Sequence, residues 1–409
     1  MYPGAPMKAG WQLKELQDIC SFENGDRGEN YPSKSVQTTS GIPFINAGHL
    51  TDSGIDFAAM SYIPVERFHL LGNGKIRRDD ILFCLRGSLG KFASVGDLSE
   101  GAIASSLVIV RPKEGVLDRY LMAYFQSSLC SDMINLFKNG AAQPNLSAGS
   151  LKKFSIPVPT IPEQHQIVGI LDKAFDGIAK ARANTEKNLQ NARDLFESHL
   201  QSAFAPCGGG WRVKPLGEMA LFRNGINFSK SSKGDSLKIL GVKDFKDNYW
   251  APLDALETVT TDGTLPESDT LLQNDLVFVR SNGNPELIGR CLLIGEVNER
   301  TTHSGFTIRA RLHTSEIAPK YLCHFLKSNS ARRTMIDGGN GANIKSLNQG
   351  TLSNLVIPFP SASEQALIVG RIEELHEEIK RLTFVYQQKL VAIDQLKKSL
   401  LHQAFSGNL

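Results

Sequence analysis

The sequence predicts an α+β protein with two tandem, homologous mixed α/β globules, separated and followed by long helices that pair as an antiparallel, pseudo-two-fold coiled coil. The prediction rests on an internal repeat of about 200 residues and on a heptad pattern that ends each copy. The composition agrees, because 409 residues with 41% hydrophobic and 21% charged side chains exclude a disordered or collagen-like chain. A net charge of +3 gives no evidence for nucleic-acid binding, which local arrangement must supply.

The repeat consists of short motifs that recur in the same order. The offset between the copies drifts only slightly, which chance matches would not reproduce. The clearest pairs are Phe22–Gly25 with Phe222–Gly225, Ile156–Pro159 with Ile357–Pro360, and Glu163-Gln164 with Glu364-Gln365. A period this long is not that of a solenoid, and it therefore indicates two tandem homologous domains.

Each globule mixes short apolar runs with clusters of Gly, Asn, Asp and Ser. Runs such as Ala104–Val110 and Leu276–Val279 are typical of strands, whereas Arg119–Asn139 and Pro319–Asp337 are typical of helices. The paired prolines of the I-P-x-P segment cannot donate ladder hydrogen bonds, so they end each globule. The predicted boundaries are 8–160 for the first domain, 161–206 for the central helix, 207–360 for the second domain and 361–409 for the C-terminal helix.

A long segment with an apolar seam follows each globule, and residues 163–204 and 364–404 lack proline. The apolar residues alternate between steps of four and three, which is coiled-coil spacing, and ~40 residues make a helix of about 60 Å. The predicted seam consists of Ile167, Leu171, Ile178 and Leu195 in the first helix and Ile368, Ile372, Leu375, Ile379, Leu382, Ile393 and Leu396 in the second. Each helix could instead pack on its own globule, but the duplication favours pairing between the helices.

Signatures of catalysis and of metal binding are missing from the sequence. There is no P-loop, no methyltransferase tetrapeptide and no metal-ligand spacing among the nine histidines, so we predict no catalytic residue, metal or cofactor. His49, His69 and His303 stay open as catalytic histidines, although a lone histidine is usually structural. Six scattered cysteines without a C-x-x-C pair indicate a reducing, cytoplasmic compartment. No apolar run reaches the length of a membrane helix.

Each globule also contains two polar, glycine-rich loops with embedded cations and amides. Arg, Lys, Asn and Gln on such loops pair with base edges or hold phosphates, while the alternative is ordinary solvated loop chemistry. The candidate DNA-binding residues are Arg86, Ser88, Lys91, Gln143 and Asn145 in the first domain and Arg280, Asn282, Asn284, Arg290, Asn343 and Lys345 in the second.

Several longer motifs point to one family. They are the W-x-x-x-x-L openings at Trp11–Leu16 and Trp211–Leu216, the strand and G-S-x-G-K loop ending at Lys91, and the runs Gly140–Gln164 and Gly341–Gln365, each followed by a long helix. With these motifs, residues 8–409 resemble the specificity subunit, HsdS, of type I restriction–modification systems. The second half departs in its linker, where Ser361–Ser363 replaces Thr160–Pro162, and in its longer cationic loop.

This resemblance implies two target recognition domains, each reading one half of an asymmetric, bipartite site in double-stranded DNA, with the coiled coil setting their spacing. It also implies a non-catalytic subunit that binds two methyltransferase (M) subunits and is joined by restriction/translocase (R) subunits. S-adenosylmethionine, ATP and Mg²⁺ would then belong to those partners. Two alternatives stay open: a structural assembly protein that does not read DNA, and a self-contained DNA-modifying enzyme with an unrecognised site.

Overall fold

The structure, a computed structural model, describes residues 8–51, 54–140, 144–205, 210–229, 231–246, 248–337 and 346–409. It divides into two compact units. The first unit consists of the chain up to Thr185 together with Gln388–Leu409, and the second consists of Glu186–Gln387. Each unit therefore contains one mixed domain and a part of each long helix.

The first domain is built from short strands and short helices. Its strands are β1 (Gln12–Glu15), β2 (Cys20–Asn24), β3 (Ile42–Ile45), β4 (Leu50–Thr51), β5 (Gly54–Ile55), β6 (Ser61–Ile63), β7 (Ile81–Cys84), β8 (Phe92–Ser94), β9 (Ala102–Ile103), β10 (Leu107–Pro112) and β11 (Ser155–Val158). Its helices are α1 (Leu16–Ile19), α2 (Val65–Leu70), α3 (Asp118–Gln126), α4 (Ser128–Phe137) and α5 (Ala148–Lys152), and the long α6 (Ile161–Ala203) follows.

A four-stranded antiparallel sheet, in the order β2-β10-β7-β8, forms the centre of the first domain. Successive side chains of a strand point to opposite faces of the sheet. Ile81 and Phe83 of β7 join the apolar cluster that contains α3 and α4, whereas Leu82 and Cys84 join a second cluster that contains residues of β3 and β9. Both faces are covered, which explains why β7 is an unbroken apolar run.

The second domain contains a parallel set of elements. Its strands are β12 (Arg212–Pro215), β13 (Ala220–Asn224), β14 (Ser236–Leu240), β15 (Glu257–Thr260), β16 (Leu276–Val279), β17 (Cys291–Leu293), β18 (Thr301–His303), β19 (Thr307–Leu312) and β20 (Val356–Phe359). Its helices are α7 (Pro319–Lys327), α8 (Asn329–Asp337) and α9 (Gln349–Ser353), and the long α10 (Ala362–Ser406) follows.

The two domains have the same sheet topology. The order β13-β19-β16-β17 matches β2-β10-β7-β8, and β12-β20 matches β1-β11. The three-stranded sheets β15-β14-β18 and β6-β3-β9 also match, and each contains one parallel pair, β14 with β18 and β3 with β9. The predicted tandem of two homologous α+β domains with long helices is therefore confirmed.

A buried ion pair occupies the same position in both domains. Asp80 lies directly before β7 and Asp275 directly before β16, and their side chains are almost fully buried. Each carboxylate accepts two hydrogen bonds of 2.7–2.8 Å from one guanidinium, that of Arg111 on β10 or of Arg311 on β19. Each carboxylate also accepts a hydrogen bond from the backbone N–H of the residue three positions earlier. Hydrogen bonding to these carboxylates raises the pKa of both arginines.

The recurring Glu-Gln dipeptide begins both long helices. Oε2 of Glu163 accepts hydrogen bonds from the backbone N–H and the hydroxyl of Thr160, at 3.3 and 3.1 Å. Glu364 accepts the same two bonds from Ser361, at 3.2 and 3.0 Å. A glutamate placed three residues after Ser or Thr caps a helix in this way, so the first residue of the dipeptide fixes where each helix starts.

The glutamine of the dipeptide joins each helix to its domain, and Gln164 and Gln365 are fully buried. Nε2 of Gln365 donates to the carbonyls of Glu316 and Pro360, at 2.9 and 3.0 Å, and its Oε1 accepts from the N–H of Ala318 at 2.8 Å. Gln164 makes the equivalent three bonds at 2.9–3.0 Å. One side chain thus satisfies three backbone groups, two in the loop after β19 or β10 and one in the segment directly before the long helix.

The two long helices contact each other inside each unit. In the first unit, Nζ of Lys397 on α10 lies 5.1 Å from the ring centroid of Phe175 on α6, and Arg182 forms a 2.5 Å ion pair with Asp394. The helices are antiparallel there, because later residues of α6 meet earlier residues of α10. A regular coiled coil over their whole length stays a prediction. None of the described helices is long and apolar enough to cross a membrane.

The end of each long helix leads into a domain core. Phe405 near the end of α10 packs on Tyr120 and Tyr124 of the first unit, with ring centroids 5.1 and 5.8 Å apart. Phe204, directly after α6, packs on Tyr321 of the second unit at 5.3 Å. Each helix therefore starts on its own domain and ends in the core of the other repeat's domain, so packing on its own globule alone does not describe either helix.

Eight of the predicted seam residues are shielded from solvent, and four of them, Ile167, Leu171, Ile368 and Ile372, pack in the domain cores, so their pairing between the helices stays a prediction. Five seam residues are buried, namely Ile167, Leu171, Ile372, Ile379 and Ile393. Three more are half-buried, namely Ile178, Ile368 and Leu375.

Three seam residues were predicted wrongly. Leu195, Leu382 and Leu396 are 59%, 38% and 50% exposed, and the residue that follows each of them, Phe196, Thr383 or Lys397, is the more buried one. A straight α-helix has 3.6 residues per turn, so its buried face drifts by about 20° per heptad from a strict 3.5-residue seam. At each of these three positions the drift replaces a step of three by a step of four.

Candidate nucleic-acid interface

In the first domain, Arg86, Ser88 and Lys91 share the tight loop between β7 and β8. Backbone hydrogen bonds close this loop from Cys84 N–H to the Lys91 carbonyl at 2.7 Å and from Gly90 N–H to the Cys84 carbonyl at 3.0 Å. Gly90 has φ +82°, a conformation that favours glycine. The side chains of Arg86 and Lys91 are exposed and form no ion pair or hydrogen bond with any residue that the structure describes.

The structure brings Asn145 to this loop from a distant part of the sequence. Arg86 and Asn145 form an antiparallel bridge, and the N–H of Leu146 donates to the carbonyl of Leu85 at 2.9 Å. Two predicted loops of the first domain are thus one surface. Three candidates, Gln143, Asn343 and Lys345, lie outside the described residues.

The second domain closes its longer loop with the same hydrogen bonds. Val279 N–H donates to the Arg290 carbonyl at 2.9 Å, and Gly289 N–H donates to the Val279 carbonyl at 3.0 Å. Gly289 has φ +76°, as expected for the counterpart of Gly90. Arg290 is therefore the structural equivalent of Lys91. Arg280 begins the loop, and its half-buried side chain forms no ion pair or hydrogen bond with a described residue.

Three candidates of the second loop contribute to the shape of the loop itself. Oδ1 of Asn282 accepts from the N–H of Asn284 at 2.8 Å, and Oδ1 of Asn284 accepts from the N–H of Glu286 at 3.0 Å. The guanidinium of Arg290 donates to the carbonyl of Lys246 at 2.6 Å and to that of Glu286 at 3.3 Å. These bonds hold the loop in one conformation, and the binding of DNA by these residues stays a prediction.

A groove of 1360 Å³ lies beside this loop in the second domain. Its lining includes Asn282 and five residues that the sequence analysis missed, namely Phe228, Lys243, Phe306, Arg332 and Arg333. For Phe228 the signal in the sequence is divergence between the repeats, because it follows the shared Phe-x-Asn-Gly motif at a position where the first repeat has Gly28. Arg332 and Arg333 lie on α8 and are adjacent to the groove only in the folded chain.

The cations of this groove differ in their environments. Lys243 forms an ion pair with Glu257, and Arg332 donates a hydrogen bond to the carbonyl of Glu286. Burial lowers the pKa of Arg332, and the nearby Arg290 lowers it further. Arg333 is exposed and has no ion pair or side-chain hydrogen bond among the described residues, so it is the cation most accessible to a polyanion here.

The shared Asn-Gly turn places a strand end against the backbone of a neighbouring strand. A Cβ atom on Gly25 would lie 2.6 Å from the carbonyl oxygen of Ala104, and one on Gly225 would lie 2.2 Å from that of Ser304. No larger residue fits at either position without a shift of the backbone. The repeated Asn-Gly pair is therefore a packing requirement of the fold, and the three residues that follow it differ between the domains.

The histidines considered as catalytic have other surroundings. Both ring nitrogens of the buried His49 bond to backbone groups of its own segment, and Nδ1 of His303 lies 2.9 Å from Oγ1 of Thr307. Burial lowers the pKa of His303 to about 3, so this side chain is neutral at physiological pH. His69 is exposed. Among the described residues, no group of three or more His, Cys, Asp or Glu side chains could hold a metal ion. Five of the six cysteines lie within these residues, and all five are free and buried.

The duplicated fold, with one cationic loop at the same place in each domain, defines a protein built from two copies of one domain. The profile of the family described as "Type I restriction modification DNA specificity domain" matches residues 8–189 and again residues 208–384. The chain therefore belongs to this family and contains two copies of its domain. Membership confirms the resemblance found in the sequence and the prediction of a specificity subunit that is not itself catalytic.

Curated relatives agree over nearly the whole chain. The StySPI specificity subunit of Salmonella potsdam and the EcoKI specificity subunit of Escherichia coli K12 are each 23% identical over 426 aligned positions, covering 98% of this chain and 89% of the relative.

The fold is also similar to solved structures. A chain of a type I R-M system, studied for complex assembly and conformational transition, is 17% identical with a TM-score of 0.81, covering 99% of this chain and 100% of that one. The HsdS subunit from Thermoanaerobacter tengcongensis is 18% identical with a TM-score of 0.62, covering 100% and 99%.

Proposed function

We propose that this chain is the DNA sequence-recognition subunit of a type I restriction–modification enzyme and that it binds an asymmetric, bipartite site with one domain per half-site. The observation that carries the proposal is a contrast between backbone and side chains. The two domains share their topology and the hydrogen bonds that close their loops, whereas their loop side chains differ, as at Lys91 and Arg290 or at Gly28 and Phe228. Two readers with one scaffold and different side chains are suited to two different half-sites.

The partners follow from the same assignment. In this proposal the chain scaffolds two M subunits, and R subunits join the assembly in the cytoplasm. S-adenosylmethionine, ATP and Mg²⁺ belong to those subunits, and the chain itself holds no cofactor. A net charge of +3 fits a subunit whose DNA affinity depends partly on phosphate contacts made by its partners.

The test is a domain exchange read out by methylation. Cells expressing the chain with its M partner are expected to modify adenines within an asymmetric motif of two parts separated by a spacer. Replacing residues 211–357 with the corresponding residues of another family member should change one part of that motif and leave the other part unchanged. Sequencing of modified adenines in genomic DNA measures both results.

The reciprocal exchange of residues 11–156 is the matched control and should change the other half of the motif. A contiguous or symmetric motif would contradict the bipartite assignment. Absence of any motif, with a stable complex of the chain and its M partner, would favour an assembly protein that does not read DNA. Modification by the purified chain alone would favour a self-contained enzyme.

Arg86 offers a test at the level of one residue. Because its exposed guanidinium has no partner among the described residues, Arg86→Ala is expected to leave the fold intact. If Arg86 pairs bidentately with guanine, its loss should cost ~1–3 kcal/mol of binding and relax the specificity at one position of one half-site. Competition binding with every single-base variant of the site measures this. A uniform loss for all sequences would identify Arg86 as a phosphate contact instead.

A further inference from the structure

The same backbone position carries different side chains in the two domains. The carbonyl of Phe306 accepts the N–H of Arg280 at 2.8 Å, and the carbonyl of Ser106 accepts the N–H of Leu85 at 2.9 Å. Both residues directly precede a central strand, β19 or β10. Phe306 and Ser106 are therefore equivalent, and the backbone holds each at a fixed place beside its cationic loop.

The side chain of Phe306 is 61% exposed, although this hydrogen bond fixes its backbone. Phe228, 43% exposed, lines the same groove, and its strand end is also anchored, because the N–H of Gly305 donates to the carbonyl of Ile226 at 2.7 Å. The first domain has Ser106 at the place of Phe306, and its sequence has Gly28 where the second repeat has Phe228. The second domain alone therefore carries this pair of exposed aromatic rings at its loop surface.

The surroundings of these rings are polar and charged, and two glutamates, Glu257 and Glu286, line the groove beside its cations. Asn282 and Arg333 line the groove together with Phe228 and Phe306, and Arg280 adjoins it through its bond to Phe306. Amide and guanidinium groups are the side chains that bond to base edges and phosphates. Among the groups that base pairs present in the major groove, the C5-methyl of thymine is the apolar one, and phenylalanine is one of the side chains that contact it.

We propose that the second domain recognises a thymine by its C5-methyl group, with Phe306 as the contacting residue and Phe228 beside it. The inference rests on the proposed function, since it names a feature of the half-site that the second domain reads. It also assigns a difference between the domains, because the serine and glycine of the first domain offer no comparable apolar surface.

Deoxyuridine in place of thymidine tests this contact, because their bases, uracil and thymine, differ only by that methyl group. The full chain assembled with its M partner is tested on duplexes of its own site in which each thymine of the second half-site, on either strand, is replaced in turn. Deoxyuridine at one position should weaken binding by about fourfold, the effect of removing one buried methyl group. In Phe306→Ser, which copies the first domain, thymine and deoxyuridine at that position should bind equally.

Ser106→Ala is the matched control and should keep the deoxyuridine effect. Because the ring of Phe306 is exposed, Phe306→Ser should unfold at the same temperature as the native protein. A deoxyuridine effect that survives in Phe306→Ser would overturn the inference. So would specific binding without any such effect, or a half-site made only of G·C pairs. Absence of sequence-specific binding by the native assembly would instead count against the proposed function itself.

Discussion

Asp275→Ala is expected to lower the free energy of unfolding by about 3–5 kcal/mol, because it leaves the guanidinium of Arg311 without its carboxylate in a largely buried site. The carboxylate accepts two hydrogen bonds from Arg311, at 2.7 Å each, and a third from the N–H of Leu272 at 2.8 Å. All three are lost together. For a unit of this size the loss corresponds to a decrease of about 10 °C in the melting temperature, measurable by thermal unfolding.

Two comparisons make this prediction specific. Glu373→Ala removes the exposed 2.8 Å ion pair with Lys320 and should cost less than about 1 kcal/mol. The double variant Asp275→Ala/Arg311→Met replaces the pair by apolar groups and should recover part of the loss, because no uncompensated charge is left. If Asp275→Ala were as mild as Glu373→Ala, the buried pair would not hold β16 to β19.

Gln365→Glu is expected to destabilise the second domain by about 3 kcal/mol or more, although the change replaces one NH₂ group by one oxygen. The new carboxylate oxygen would face the carbonyls of Glu316 and Pro360, which now accept hydrogen bonds of 2.9 and 3.0 Å from Nε2. Two buried carbonyls would lose their donor, and a negative charge would be buried without an opposite charge beside it. Denaturant unfolding, followed by a signal specific to the second domain, measures the effect.

The neighbouring residue provides the control. Glu364→Gln keeps a side chain that can cap the helix at the same position, so it should change the stability by less than about 0.5 kcal/mol. Equal effects of the two substitutions would mean that the helix start is held by capping alone. A large loss in Gln365→Glu, with a native-like Glu364→Gln, would show that the glutamine holds the domain and the helix together.

The candidate site was predictable from the sequence where its residues are local. Lys91 and Arg290 were placed on equivalent loops because each follows a glycine after an apolar strand, and the structure closes both loops with the same backbone bonds. Phe306 and Arg333 were not predictable, since they come to the groove from a strand end and from α8. Asn145 was found as a loop residue, but its bridge to Arg86 depends on pairing between distant segments.

The sequence by itself determined the duplication, the strands, the two long helices and the family, because these depend on local periodicity and on motifs that occur twice. The tertiary structure decided which side chains meet. It showed that Gln365 serves three backbone groups, that the seam moves from Leu195 to Phe196, and that the rings of Phe228 and Phe306 are exposed at one groove. The physical reason is that periodicity is a property of neighbours along the chain, whereas burial and hydrogen-bond partners are set by segments that are far apart in sequence.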